Sequence, residues 1–197
     1  TPTTTLMPTV TFTLLPAAPI TADVVQMPGV ATYFVQDLWE QVAGAATGIE
    51  DFEQDPAANR NLPLPYQTGN RFVLNGMSLV QIVSAPELLN SGNAIGVCDF
   101  EDGLTFTFPD GAAVMAFGFD YTSFDDWRLS FNGIPTPFPR GRDRFVGVVL
   151  YPQTATHFTL SGPRNGQCGL WVDNIAYVVS WTPSTPTSTP EIRSSTR

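Results

Sequence analysis

The chain has 197 residues, 43% hydrophobic and 12% aromatic, which is enough for one sizeable globular core. Its net charge is −9 and all nine basic residues are Arg. That balance argues against nucleic acid and anionic membranes, which require clustered basic surfaces, and the lack of Lys excludes Schiff-base chemistry.

Residues 1–31 are rich in Thr and Pro. Within them Thr9-Val-Thr-Phe-Thr-Leu14 alternates with period two, so Val10, Phe12 and Leu14 share one face of a predicted strand. A second extended piece runs from Ile20 to Met27. Between Thr32 and Ala46 the apolar residues Phe34, Val35, Leu38, Trp39, Val42 and Ala46 recur at helical spacing, and Gly44 and Gly48 offer a stop. This is the one helix the pattern predicts. Residues 1–47 are therefore set apart as an N-terminal extension, a possible assembly arm.

From residue 49 the pattern is β throughout. Arg71–Asn75 and Met77–Ser84 meet at Asn75-Gly76, a dipeptide that predicts a hairpin. A short Pro86–Asn90 piece with the character of one helical turn precedes Ala94–Asp99. Leu104, Phe106 and Phe108 alternate with Thr105 and Thr107, as in a half-buried strand. Ala113–Tyr121, Trp127–Phe131 with a second Asn132-Gly133 turn, Arg144–Tyr151, Thr156–Ser161 and Leu170–Trp181 complete the series. Many strands, frequent turns and almost no helix indicate a sandwich over 48–181. The Thr/Ser/Pro-rich tail 182–197 reads as a solvated linker whose composition suits O-glycosylation.

Two cysteines, Cys98 and Cys168, lack metal-binding spacing and are expected to form a disulfide, as in an extracellular protein. The single histidine, His157, sits opposite Phe158 and Leu160 on its strand and reads as solvent-facing. One His cannot build a His-rich zinc site, and no Gly-x-Ser-x-Gly elbow, phosphate loop or dinucleotide motif is present. Paired carboxylates could still serve a glycosidase, with Asp125-Asp126 beside Trp127 and Glu101-Asp102 as candidates. Neighbouring strand residues point to opposite faces, so both pairs fit turns better. The expectation is a protein that is not an enzyme.

The acids have a better use. Asp173-Asn174 interrupts the β-forming run Leu170–Val179 where a hydrophobe belongs, and a buried charge there needs a partner. A calcium ion shared with Asp51 or Glu53 of the upstream Glu50-Asp-Phe-Glu53 cluster is one candidate; an ion pair from Asp173 to Arg71 or Arg164 is the other.

Several segments in order carry a resemblance. They are Gly48-Ile-Glu-Asp-Phe-Glu, Leu64-Pro-Tyr-Gln-Thr-Gly-Asn-Arg-Phe72, Phe106 through Asp120, Phe145-Val-Gly-Val148 and Trp171-Val-Asp-Asn-Ile175. Together they resemble the β-sandwich ectodomains of exported bacterial proteins of the PEP-CTERM type, which are similar in turn to jelly-roll carbohydrate-binding modules. The resemblance covers about residues 48–180. It implies secretion, a non-catalytic role, and a structural calcium between Asp51 or Glu53 and Asp173. The Pro-Glu-Pro, membrane-anchor and basic sorting tail of that family is not in this sequence.

The expected fold is an all-β, antiparallel jelly-roll-type sandwich with an N-terminal extension containing one short helix. The leading functional expectation is a structural subunit at the cell surface or outside the cell. It would assemble with copies of itself into a filament, sheath or surface layer, with Val10, Phe12 and Leu14 docking on a neighbour's sheet edge. The alternative is a carbohydrate-binding module or adhesin domain, with Tyr121, Asp125, Asp126 and Trp127 as the leading glycan contacts.

Overall fold

A computed structural model describes residues 23–57, 61–76, 79–84, 89, 92–98, 103–136, 138–162 and 168–179. The strand expected at Thr9–Leu14, the Glu101-Asp102 pair, Arg164, most of the Pro86–Asn90 piece and the tail 182–197 lie outside those residues. In chain order the elements are β1 (Val24–Met27), β2 (Val30–Tyr33), α1 (Gln36–Ala43), β3 (Gly48–Glu50), β4 (Tyr66–Gln67), β5 (Val73–Gly76), β6 (Leu79–Ser84) and β7 (Asn93–Cys98). They continue with β8 (Leu104–Thr107), β9 (Ala116–Ser123), β10 (Arg128–Phe131), β11 (Ile134–Thr136), β12 (Gly141–Leu150), β13 (His157–Ser161) and β14 (Cys168–Val178).

The strands form two antiparallel sheets. An eight-stranded sheet runs β1-β2-β12-β9-β14-β7-β6, with β3 also paired to β14. A six-stranded sheet runs β11-β10-β13-β8-β5-β4. The chain is thus an all-β sandwich with one short α-helix. Alternation drives the layering: Leu104 and Phe106 of β8, Phe158 and Leu160 of β13, and Phe117, Phe119 and Tyr121 of β9 all point into one buried core. The Phe158 ring is its centre, stacked on Phe106 at 4.8 Å from its own sheet and on Phe117 at 5.0 Å and Phe119 at 5.2 Å from the other.

Three local outcomes differ from the sequence pattern. The expected helix from Thr32 begins only at Gln36, because Val30–Tyr33 pairs with β12 through Val30↔Leu150 and Tyr33↔Gly147. β-branched Val30 and Thr32 and the Tyr33 ring suit that pleated position. Residues 24–43, expected to form part of an extension, therefore add two strands and a helix to the sandwich. The third outcome is at Asn75-Gly76, which makes no hairpin. Gly76 (φ 153°) pairs with Leu104, and a Cβ there would lie 2.5 Å from the Gly103 carbonyl, so only glycine fits. The chain then crosses to the other sheet, which lets Leu74 of β5 and Val80 and Ile82 of β6 face one core from opposite sides. At Asn132-Gly133 both residues have positive φ, and Phe131↔Ile134 closes the two-residue hairpin that this dipeptide favours.

Candidate functional site

Helix α1 lies on the outer face of the eight-stranded sheet. Its Trp39 and Ala43 are buried, the Trp39 indole N–H donates to the Val148 carbonyl at 3.3 Å, and its ring meets Phe145 at 5.6 Å. The helix can sit so low because β12 has no side chain below it at Gly147, where a Cβ would fall 2.4 Å from the Trp39 ring. Gly44, at φ 82°, ends the helix.

Between α1, with the turn that follows it, and the sheet is a cleft of about 730 Å³. Gln36, Glu40 and Gln41 form its helix wall, and Asp120 and Asn174 its floor. Gln36 Nε2 donates to Glu40 Oε1 at 2.8 Å, which fixes that wall one helical turn apart.

The floor is made by a β-bulge. Asp173 pairs with Asp120 and Ala176 with Gly118, so Asn174 and Ile175 together face one residue of β9. Asn174 takes φ 50°, a left-handed conformation that Asn tolerates better than most residues. Its backbone N–H donates to Asp173 Oδ1 at 2.7 Å and its side-chain amide to Asp120 Oδ2 at 2.9 Å. Burial raises the Asp120 pKa above the usual carboxylate value; the Asn174 bond opposes this and the nearby Asp143 charge adds to it.

On the same face β9 continues from Asp120 to Thr122, which is buried and accepts the Asp143 N–H at 3.0 Å, and Phe124 follows just past the strand's end, about 13 Å from Asp120 at strand rise. There Phe124, 42% exposed, meets Trp171 edge-to-face at 5.5 Å, and the Arg142 guanidinium lies 5.1 Å from its ring centroid.

The residues named from sequence distribute as follows. Tyr121 is fully buried, its hydroxyl donating to the Pro139 carbonyl at 2.7 Å, and Trp127 is 5% exposed, so neither ring is a surface platform. Asp126 forms an ion pair with Arg140, and Asp125 turns back over Gly169. His157 is half-buried on the outer face of the other sheet, its Nδ1 3.2 Å from Thr156 Oγ1. Arg71 pairs with Asp110.

Cys98 and Cys168 are register partners across β7 and β14, and no cysteine among the described residues is free. The backbone also brings the two acidic segments side by side, since β3 pairs with β14 through Glu50↔Ile175. The buried acid of the first segment is Glu50, whereas Asp51 and Glu53 lie on the following loop and bond to the Glu53 and Asn93 N–H groups. Among the described residues no group of three or more His, Cys, Asp or Glu is gathered to hold a metal ion.

Asn174 is visible in the sequence as half of an anomalous acidic pair. Asp120 and Phe124 do not stand out in the same way. Their signal is the outward parity opposite Phe117, Phe119 and Tyr121, which places Asp120 on the face that carries Asn174. No family model, curated protein or solved structure matches this chain.

Proposed function

We propose that this chain is a non-catalytic extracellular glycan-binding module, with its ligand lying from the Asp120–Asn174 floor towards the Phe124–Trp171 pair. The observation that carries this reading is the bulge at Asn174, which turns an amide onto a carboxylate at the bottom of an open cleft. A carboxylate offers acceptors and an amide offers both donors and acceptors, which together suit the hydroxyls of a sugar. The exposed Phe124 ring and the half-buried Trp171 ring suit the apolar faces of a sugar further along, and few convergent polar groups are needed to orient a ligand. The Asp120 and Glu40 charges favour a neutral glycan over a uronate.

Calorimetric titration with a panel of neutral oligosaccharides tests it. Binding is expected, weakened at least about tenfold by Asp120→Ala and by Trp171→Ala, a loss of about 1.4 kcal/mol each. No binding across the panel, or binding indifferent to both variants, overturns it.

The compartment reading draws support from the register of Cys98 with Cys168, the placement a cross-strand disulfide needs. Two titratable thiols in the unreduced, denatured protein would remove that support. A second reading, a structural subunit assembled from copies of this chain, is favoured by β1, which is paired on one side only among the described residues.

A further inference from the structure

We propose that the edge of β1, unpaired among the described residues, receives Thr9–Leu14 of a second copy as an added strand. This rests on the structural-subunit reading and is independent of glycan binding. The edge itself carries the argument. β1 is Val24-Val-Gln-Met27, with neither charge nor proline, the devices that ordinarily protect an edge strand from pairing. Met27 packs against the main core, while Val24 packs on the helix side with Ala31 and Phe145. β1 thus ends the sheet with apolar side chains on both faces.

Thr9–Leu14 matches what such an edge lacks. Placed beside β1 with Val10, Phe12 and Leu14 on the face of Val25 and Met27, it continues the core layer and leaves Thr9, Thr11 and Thr13 to water. Its main-chain groups would satisfy the outward N–H and C=O groups of β1. The connector decides between its own edge and a neighbour's. Eight residues, 15–22, separate the segment from Asp23, against the two to five of ordinary hairpin loops. Pro16 and Pro19 fix their own φ and disfavour helical backbone in the residues before them, which narrows the ways such a connector could turn straight back. Pairing with a neighbour's β1 asks no such reversal of the connector. Because each copy offers one arm and one edge, the contact is head-to-tail and either closes into a ring or extends as a filament.

Sedimentation velocity on the full chain over micromolar to millimolar concentrations tests this. The wild type should associate with rising concentration, and Phe12→Asp should weaken association by about 30-fold or more while leaving the thermal melt of the sandwich unchanged. Excess synthetic peptide of residues 7–15 should break the wild-type assemblies into single copies, which tests the same contact without a substitution. A wild type that stays monomeric, as it would if the segment folded onto its own edge, overturns the proposal. So does association that neither Phe12→Asp nor the peptide reduces. Neither result bears on the oligosaccharide titration.

Discussion

Two carboxylates, the fully buried Glu50 and the half-buried Asp120, have the same kind of partner and different outlooks. Glu50 is fully buried and accepts from the Phe52 N–H at 2.9 Å, the Asn70 amide at 3.2 Å and the Thr68 hydroxyl. Asp55 extends that closed network, taking the Tyr66 hydroxyl at 2.6 Å and the Gly69 N–H at 3.0 Å. Asp120 accepts from the Asn174 amide and otherwise looks into the cleft. Burial raises the pKa of both. A carboxylate surrounded by its own chain's donors is a fastening between loops; one with a single donor and an open side retains acceptors for something else.

The comparison breaks most visibly at Glu50. Glu50→Ala leaves the Phe52 N–H and the Asn70 and Thr68 side chains without their acceptor in a dry site, and each such group costs about 1–3 kcal/mol. The expected loss of folding stability is about 3 kcal/mol by urea denaturation, with oligosaccharide binding retained in the folded fraction. A loss under about 0.5 kcal/mol would show that the network is not a fastening.

Asp120→Asn should do the reverse. Because its folded pKa is raised, Asp120 contributes stability that is fully present below its unfolded pKa of about 3.9, where the carboxyl is protonated in both states. That contribution is lost as pH rises through the folded value, since the charged form is the one that burial disfavours. Asp120→Asn removes the charge, so its melting temperature should exceed the wild type's at pH 7, by less than about 4 °C, and converge with it below about pH 4. Glycan binding should fall in the same variant. A variant less stable than wild type at pH 7 would place Asp120 among the fastenings with Glu50.

What is legible in the chain divides along the same line. The sandwich is, because Leu104–Phe108 and Ala113–Tyr121 alternate cleanly, with large rings to the core and Thr105 and Thr107, or small Ala116 and Gly118, opposite. The two Asn-Gly dipeptides show the limit. At 132–133 the local preference and the sheet agree, whereas at 75–76 the need of β5 and β6 to face one core from opposite sheets overrides the turn. The start of α1 departs from the pattern for a like reason: the helical spacing reaches back to Thr32, yet β12 offers Val30–Tyr33 an edge. The cleft is half-legible, since Asn174 stands out as a polar interruption and Asp120 does not. An outward acid on a strand is ordinary until the fold sets a bulge and a helix beside it.

The smallest expected effect concerns calcium at Asp51, Glu53, Asp173 and Asn174. Calcium takes six to eight oxygen ligands. In this loop Glu53 Oε1 accepts the Asn93 N–H at 2.6 Å and Asp51 Oδ1 the Glu53 N–H at 3.2 Å, so an ion would have to compete with bonds already made. Asn174 meanwhile spends its amide on Asp120 at the cleft floor. Binding near a millimolar Kd at 1 mM calcium would add only about 0.4 kcal/mol, or about 1 °C in melting temperature. That is the expected rise, with chelator returning it to baseline. A rise of more than about 5 °C that Asp173→Asn abolishes would mean that the loop reorganises around the ion. Asp51 and Glu53 would then belong, like Asp120, with groups held open for a ligand, and the fastening would be left to Glu50 and Asp55.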